Sequence, residues 1–403
     1  MSATTTGTPV HYSPYDYRIH EDPYPTYARL RSEAPLYRND EFDFWALSRH
    51  ADVLAAFRDP AHLSNRFGVT LDPAAYGPQA DKSMSFLAMD PPRHTRMRSL
   101  VSKAFTPRRV AELEVEIRAM CAEWLTPLAE AGQGEIVTDL AGKLPGAVIA
   151  SLLGVPVSDR DRLKSLSDRM LHREDGALSM PEDGIAAALE MIEMFGELTA
   201  DRRATPTDDL ISGLVHTEVA GQDGNVERLT DDEILSFCML LGVAGNETTA
   251  KMIATGTVVL DLFPEERARL VADPALWPKA VEEILRFDPP SHYQGRVATR
   301  PLTYHGEEIP EGSIVVLING AANRDPRAFD EPDRFIADRP IERQLAFGHG
   351  IHFCLGAPLA RLETRVALQE LVRRFPDFEV DREGVERFHS TNVRGLSKVP
   401  FRG

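Results

Sequence analysis

The chain has 403 residues, of which 43% are hydrophobic and 27% charged, the composition of an ordinary globular protein. Its 62 acidic residues outnumber its 45 basic ones, and the net charge of −17 argues against general binding to nucleic acid or to an anionic membrane. Three widely separated cysteines without a CxxC pair exclude a disulfide scaffold and argue against a zinc knuckle.

Taken in chain order, the residue pattern predicts a mainly α fold with a minor β part. Proline and glycine are frequent in the first quarter, which favours short helices separated by loops, and residues 44–47 have the pattern of a short strand. Apolar residues spaced three and four apart predict a helix from Arg108 to about Gly132. No repeat or linker is evident, so residues 1–403 are expected to form one domain.

Neither a signal peptide nor a membrane anchor is expected. The first residues contain no apolar core and no early positive cluster. The longest uncharged apolar stretch, from Ile234 to Asn246, is too short to cross a bilayer. The sequence therefore predicts a soluble, cytoplasmic protein, and its sparse cysteines suit a reducing compartment.

A long helix is predicted to begin after Thr230. Thr230 and Glu233 have the spacing of a capping box, and no proline follows until Pro264, so the helix would span about 33 residues, or roughly 50 Å. Most of its first half is apolar on every face, which predicts burial. Gly242, Gly245 and a polar group at residues 246–249 nevertheless lie at its centre. Such departures from the local pattern tend to mark functional sites.

After residue 287 the pattern changes to short β-like runs. A proline-rich meander, residues 323–340, follows, and a last helix is predicted from about Pro358 to Arg374. The segment before that helix, residues 347–356, contains three glycines, which permit unusual backbone angles and close approach of a flat ligand. Cys354 lies just before the helix N-terminus, whose positive end favours a thiolate. By itself this cysteine fits a nucleophile, a metal ligand or a buried structural residue.

Residues 347–356, FGHGIHFCLG, resemble the haem-binding loop of the cytochrome P450 family, F-G-x-G-x-(H/R)-x-C-x-G, at every fixed position. The resemblance spans nearly the whole chain and implies the P450 fold, with Cys354 as the proximal ligand of a haem b iron. The thiolate in this family favours cleavage of the O–O bond. Phe347, Gly348 and Gly356 would form the loop against the haem. Backbone N–H groups near Leu355 and Gly356 are expected to donate to the sulfur.

Residues 244–249, AGNETT, resemble the distal helix of the same family, (A/G)-G-x-(D/E)-T-(T/S). The resemblance implies that small residues such as Ala244 admit oxygen and substrate, that Thr248 hydrogen-bonds dioxygen, and that Glu247 connects it to a proton supply. A relay is needed because a buried apolar pocket holds no protons of its own. Thr248 can also bond back to a carbonyl one turn earlier, and the two roles are compatible.

Glu283 and Arg286 form an E-x-x-R pair that shares one helix face. The motif is common by chance, but in the P450 family the pair is buried and joins a cation of the meander. Arg334 is the matching candidate, and Arg339 competes with it. The implied role is to support the fold, not to catalyse.

Two propionates of a haem would need cations, because buried carboxylates are otherwise costly. The resemblance assigns this role to His94, Arg98, Arg296 and His352. His94 and Arg98 are spaced i, i+4 and share a helix face. The other arginines of residues 93–96 are expected at the surface.

Substrate contacts are expected from the loop before the haem-flanking helix, from the distal helix and from the segment after E-x-x-R. The candidates are Phe86, Leu87, Val243 and His292, although each is also compatible with a plain core position. An apolar pocket accepts a fatty acid, steroid, terpenoid or macrolide without distinction.

The expected activity is hydroxylation of a lipophilic small molecule with O2 by a monomeric haem-thiolate monooxygenase. The sequence lacks a dinucleotide fingerprint, so electrons are expected from a separate ferredoxin and its NAD(P)H-ferredoxin reductase. Ferredoxins are usually acidic, and Arg361 and Arg365 are candidates for a basic docking face. A gas-sensing haem protein is the first alternative, against which the Glu247–Thr248 pair argues. A peroxide-driven member of the family is the second, and activity with hydrogen peroxide alone would identify it.

Overall fold

Helices make up most of the computed structural model, which describes residues 9–72, 76–171, 181–220, 225–388, 390 and 392–403. The α-helices found in these residues are α1 (Tyr17–Glu21), α2 (Tyr24–Glu33), α3 (His50–Phe57), α4 (Ala80–Met84), α5 (Arg93–Ala104), α6 (Pro107–Glu112), α7 (Glu114–Ala131), α8 (Leu144–Leu153), α9 (Arg160–Leu171), α10 (Glu182–Ala204), α11 (Leu210–His216), α12 (Asp231–Leu262), α13 (Pro264–Ala272), α14 (Trp277–Phe287), α15 (Asn319–Ala322) and α16 (Ala357–Arg374).

Short strands form the minor β part. They are β1 (Leu36–Asn39), β2 (Phe44–Leu47), β3 (Leu63–Ser64), β4 (Gln133–Glu135), β5 (Val219–Ala220), β6 (Val226–Glu227), β7 (Gln294–Ala298), β8 (Leu302–Tyr304), β9 (Glu307–Ile309), β10 (Ile314–Leu317), β11 (Glu379–Val380), β12 (Glu386–Phe388), β13 (Gly395–Lys398) and β14 (Pro400–Arg402). The largest sheet has the order β1-β2-β10-β7-β3, and only its β2–β10 pair is parallel. The mainly α fold with a small β part is confirmed.

Helix α12 begins where the capping box predicts. The Thr230 hydroxyl accepts a bond from the Glu233 N–H at 3.2 Å, and the Glu233 carboxylate accepts one from the Thr230 N–H at 2.9 Å. Its 32 residues end at Leu262, two positions before Pro264 and close to the predicted length. None of the helices in the described ranges combines the length and the apolar character needed to span a membrane.

The helix predicted from Arg108 to Gly132 is divided into α6 and α7. The Leu113 N–H bonds to the Val110 carbonyl at 3.2 Å, which closes a tighter i to i−3 turn between them. The cap of α6 is Thr106, whose hydroxyl accepts from the Arg109 N–H at 3.3 Å. The final helix begins one residue earlier than predicted, at Ala357.

The long helix α12 lies at the centre of the helical part, where it packs against α8, α10 and α16. Gly256 permits a close crossing with α16, because a Cβ atom there would lie 2.7 Å from the Leu368 side chain. Helix α16 in turn packs against α7 and α14. The segment that carries Cys354 therefore joins directly onto the helix that supports α12.

Candidate active site

The cysteine loop, residues 347–356, is held by its own backbone and by α3. The Cys354 N–H donates to the Phe347 carbonyl at 3.0 Å. Gly350 has a φ of +75°, and a Cβ atom there would lie 2.5 Å from the Phe57 carbonyl oxygen, so only glycine fits without a shift. Gly348 also has a positive φ, of +67°, beside the Phe57 ring. The loop is therefore held against α3 on one side. Cys354 lies three residues before α16 begins.

The thiol of Cys354 is partly buried and receives backbone donors at the start of α16. Burial raises its pKa, whereas the N–H of Gly356, the Arg98 guanidinium and the N–H of Ala357 act to lower it. The sequence predicted donors near Leu355 and Gly356, and the structure provides Gly356 and Ala357. Burial has the larger effect on the pKa, but a cation and two backbone donors around one sulfur are the contacts that would stabilise a thiolate bound to a metal.

Three predicted propionate partners lie beside this loop, close to the fourth, His352, which belongs to the loop. The His94 and His352 rings have centroids 4.1 Å apart, and both nitrogens of each ring are buried without a hydrogen-bond partner. Burial, and then His94, Arg296 and Arg98, lower the pKa of His352 far below its usual value. Burial also lowers the pKa of His94 to about 4 and that of Arg296 to about 10.

These buried donors fit a group that carries two carboxylates. The Nη1 atom of Arg98 is buried and unpaired among the described residues, as are the four imidazole nitrogens. Buried polar atoms of this kind normally have hydrogen-bond partners, and a cluster of unsatisfied ones calls for a ligand. Asp90 is the nearby carboxylate, but it already accepts bonds from the Ser64 hydroxyl and the Asn65 N–H. The donor set therefore suits a haem whose propionates would enter this cluster.

The polar centre of α12 contains an ion pair that the sequence analysis did not identify. Lys251 Nζ lies 2.9 Å from Glu247 Oε1, and the two side chains are 7% and 23% exposed. Thr248, between them in sequence, is partly buried, and Thr249 is fully buried. The i, i+4 spacing of glutamate and lysine was the available signal.

The glycines of α12 serve helix packing. A Cβ atom on Gly245 would lie 3.0 Å from Ile149 of α8, and one on Gly242 would lie 3.5 Å from Met191 of α10. The open side of Gly245 therefore faces a neighbouring helix. The side chains of Val243 and Ala244 lie outside the described residues, so their predicted roles stay predictions.

The E-x-x-R pair is fully buried, but its partner is Arg339 and not Arg334. Glu283 accepts from Arg286 at 2.6 and 2.8 Å and from Arg339 Nε at 2.9 Å. The side chain of Arg334 is 59% exposed and pairs with Glu331 instead. The backbone turns so that the Arg334 carbonyl, rather than its guanidinium, points inward and accepts from Arg286 and Arg339.

The predicted substrate contacts fall into two environments. Phe86 is buried beside His94 and Phe237, with ring centroids 6.1 and 5.9 Å away, and Leu87 is partly buried next to it. His292 is buried elsewhere, in a polar network. Its Nδ1 contacts the Tyr27 hydroxyl at 2.9 Å and its Nε2 contacts Asp288 at 3.4 Å.

Both ring nitrogens of His292 are thus occupied, and a Cβ atom on Gly320 would lie 2.9 Å from its Nδ1. This geometry favours a structural role over substrate contact. The arginines proposed for partner docking are likewise engaged, because Arg361 pairs with Glu282 and Arg365 with Glu114. They are not free cations.

The sequence was compared with known proteins. Residues 183–400 match the family described as Cytochrome P450. The chain is 47% identical to the putative cytochrome P450 123 of Mycobacterium tuberculosis, with 96% of each chain covered. It is 40% identical to the vitamin D(3) 25-hydroxylase of Pseudonocardia autotrophica, covering 99% of this chain and 98% of the relative.

The solved structures agree with the sequence matches. The structure superimposes on cytochrome P450 CYP109E1 from Bacillus megaterium in complex with corticosterone with a TM-score of 0.86. Sequence identity in that pair is 32%, and 96% of this chain and 99% of the other are covered. The chain therefore belongs to the cytochrome P450 family of haem-thiolate monooxygenases, oxidoreductases that insert one atom of O2 into their substrates.

Proposed function

We propose that this chain forms one haem domain over residues 1–403, binds haem b through Cys354 and hydroxylates a lipophilic small molecule with O2. The observation that carries the proposal is the convergence of a thiol and four cationic or imidazole side chains. Cys354 receives backbone donors, while buried polar atoms of His94, Arg98 and His352 lack a hydrogen-bond partner among the described residues, and Arg296 is buried close to His352. A thiolate ligand and two propionates account for both halves of this arrangement.

When bound, the haem supplies one-electron redox chemistry and the activation of dioxygen. The residues of the chain supply binding, orientation and protons. The N–H groups of Gly356 and Ala357 hold the charge on the Cys354 sulfur. In this proposal the Thr248 hydroxyl holds a proton on its oxygen, and the Glu247 carboxylate resupplies it.

Exclusion of water supports this proton control. The apolar first half of α12 includes the buried Phe237, which packs against Phe86 of the loop before α5. The polar residues 246–249 follow this apolar half of the helix. In such surroundings a few placed polar groups control the proton path.

The proposed substrate class is a lipophilic compound of steroid, secosteroid or other natural-product type. Support comes from the relative named as a vitamin D(3) 25-hydroxylase and from the corticosterone complex of the similar structure. Phe86, which packs against Phe237, is a proposed contact at the edge of this apolar region. Leu87 and Val243 remain the other proposed contacts.

Electrons are proposed to come from a separate ferredoxin and its NAD(P)H-dependent reductase. The sequence contains no dinucleotide fingerprint that would let the chain take up hydride directly. Because Arg361 and Arg365 are paired with carboxylates, docking of the ferredoxin must either exchange these ion pairs or use other cations of the chain.

The test is the spectrum of the reduced protein with carbon monoxide. A thiolate-ligated haem gives a strongly red-shifted Soret band, and Cys354→Ser is expected to lose that band while retaining the fold. Cys121→Ser is the control, since Cys121 is buried in the hydrophobic core. A purified protein that stays colourless when haemin is supplied during expression would refute the proposal. Spectral titration with corticosterone and vitamin D3 then tests the substrate class.

A further inference from the structure

We propose that Lys251 is a positioning residue for the Glu247 carboxylate, and that the hairpin of β12 and β13 fixes Lys251 in turn. The inference rests on the proposed role of Glu247. Lys251 is not in the cysteine loop, the E-x-x-R pair or the propionate cluster. It lies one helical turn after Glu247, on the far side of Thr248 in the sequence.

The burial of Lys251 separates this pair from an ordinary surface pair. An exposed i, i+4 pair contributes little and leaves both side chains free to move. Here the ammonium side chain is only 7% exposed, and Glu247 at 2.9 Å is its carboxylate partner among the described residues. A buried ammonium without an anion is costly, so the Lys251 side chain strongly favours the arrangement that contacts Glu247.

Two residues near the C-terminus restrict Lys251 further. Its Nζ lies 4.3 Å from the centroid of the Phe388 ring at the end of β12, within the range of a cation–π contact. Gly395, which pairs with Phe388 in β13, lies against the lysine stem. A Cβ atom on Gly395 would be 2.4 Å from the Lys251 Cβ, so the strand backbone itself forms the wall.

These contacts link a β-hairpin to the proton-carrying side chain of α12. The ring and the glycine backbone hold the lysine stem, the ammonium holds the carboxylate, and Glu247 is thereby kept in one orientation next to Thr248. A proton relay depends on such a fixed geometry, because small displacements of a reacting group cost a large part of the rate. Residues outside the pocket thus set the position of the acid.

The test uses the holoenzyme and carbon monoxide as the probe, so it requires no known substrate. The infrared C–O stretch of the reduced, carbon monoxide-bound protein reports the polar surroundings of the distal side. Lys251→Met is expected to shift and broaden this band as Glu247→Gln does, and the double variant should change it no further. Lys251→Arg should restore a narrow band, and Phe388→Leu should give an intermediate width.

Lys398→Met is the matched control. Lys398 is on the same hairpin and pairs with Glu386, but the two side chains are 46% and 63% exposed. The infrared C–O band of Lys398→Met should equal that of the wild type. A double-mutant cycle compares the wild type, Lys251→Met, Glu247→Gln and the double variant. The changes in their thermal unfolding should be non-additive, which measures the interaction of the pair without a haem signal.

An unchanged band in Lys251→Met, whatever Glu247→Gln does, would overturn the inference, as would additive unfolding of the cycle. Should Lys251→Met fold poorly, Lys251→Arg and Phe388→Leu still decide between the outcomes. The proposed function fails separately, by absence of the red-shifted Soret band in the wild type. The two failures are therefore distinguishable.

Discussion

Arg339 Nε lies 2.9 Å from Oε1 of Glu283, so one buried carboxylate serves two guanidinium groups. The Glu283 carboxylate also accepts from the Ile336 N–H at 3.1 Å. Arg339 donates to the carbonyls of Asp330, Glu331 and Arg334. The meander is thereby tied to α14 through a single charged centre.

Replacing Arg339 by methionine is expected to lower the free energy of unfolding by about 3 kcal/mol. Removal of one partner from a buried charge network leaves the buried groups that it contacted unpaired. Arg334→Met is the matched control, and its exposed side chain should leave stability unchanged. Denaturant unfolding of the two variants measures the difference. Equal stability of the two would contradict the assignment of Arg339.

Arg98→Met is expected to weaken haem retention by about 10- to 100-fold, the effect of losing a hydrogen bond to a charged group. Its Nη1 atom is buried and unpaired among the described residues, as expected of a propionate partner. Arg93→Met on the same helix removes an exposed cation that pairs with Asp81 and should have no effect. The rate of haem transfer to an apoglobin measures retention. Equal loss from both variants would exclude Arg98 from the haem site.

The parts of this site that lie close together in sequence were predictable from it. The Thr230 capping box and the uninterrupted stretch before Pro264 predict α12, since local hydrogen bonds decide where a helix begins. The spacing of Glu283 and Arg286 likewise predicts one helix face, which the structure confirms. In both cases, interactions between residues close in sequence were sufficient for the prediction.

The parts that depend on the tertiary path were not predictable in this way. The selection of Arg339 over Arg334 follows from the turn of the meander, which no spacing rule determines. The packing of Gly245 against Ile149 depends on how α8 crosses α12, and the site of His292 depends on Tyr27 from a distant helix. Only the family resemblance indicated that His94 and His352 would lie together.

Thr248→Val is expected to divert most of the consumed reducing equivalents to hydrogen peroxide, because the proton held at the hydroxyl oxygen is lost. Thr257→Val on the same helix is the control, since the Thr257 hydroxyl donates to the Ile253 carbonyl of its own helix at 3.0 Å. The measurement is peroxide and product formed per NADPH with the compound that gives the largest spectral shift. Unchanged coupling in Thr248→Val would refute the relay.

Glu363 of α16 is buried, its Oε2 has no partner among the described residues, and burial raises the pKa of its carboxyl well above the usual value. The folded state therefore binds this proton more tightly than the unfolded state. Its contribution to stability is present at low pH and is lost as pH rises above about 4.3, by about 1.4 kcal/mol per pH unit until the folded pKa is reached. Glu363→Gln should gain stability relative to the wild type over that window.

Glu370, also on α16, provides the control of opposite sign. Burial raises its pKa, but hydrogen bonds from Arg373 and Arg118 lower it overall. Its contribution to stability is therefore present at neutral pH and lost as pH falls through the folded pKa. Glu370→Gln should be less stable than the wild type at pH 7, with a difference that narrows in acid. Urea unfolding from about pH 3 to pH 8 measures both variants, because the Glu370 effect is lost only below an unfolded pKa of about 4.3. Parallel curves for Glu363→Gln and the wild type would show that Glu363 is ionised in the fold.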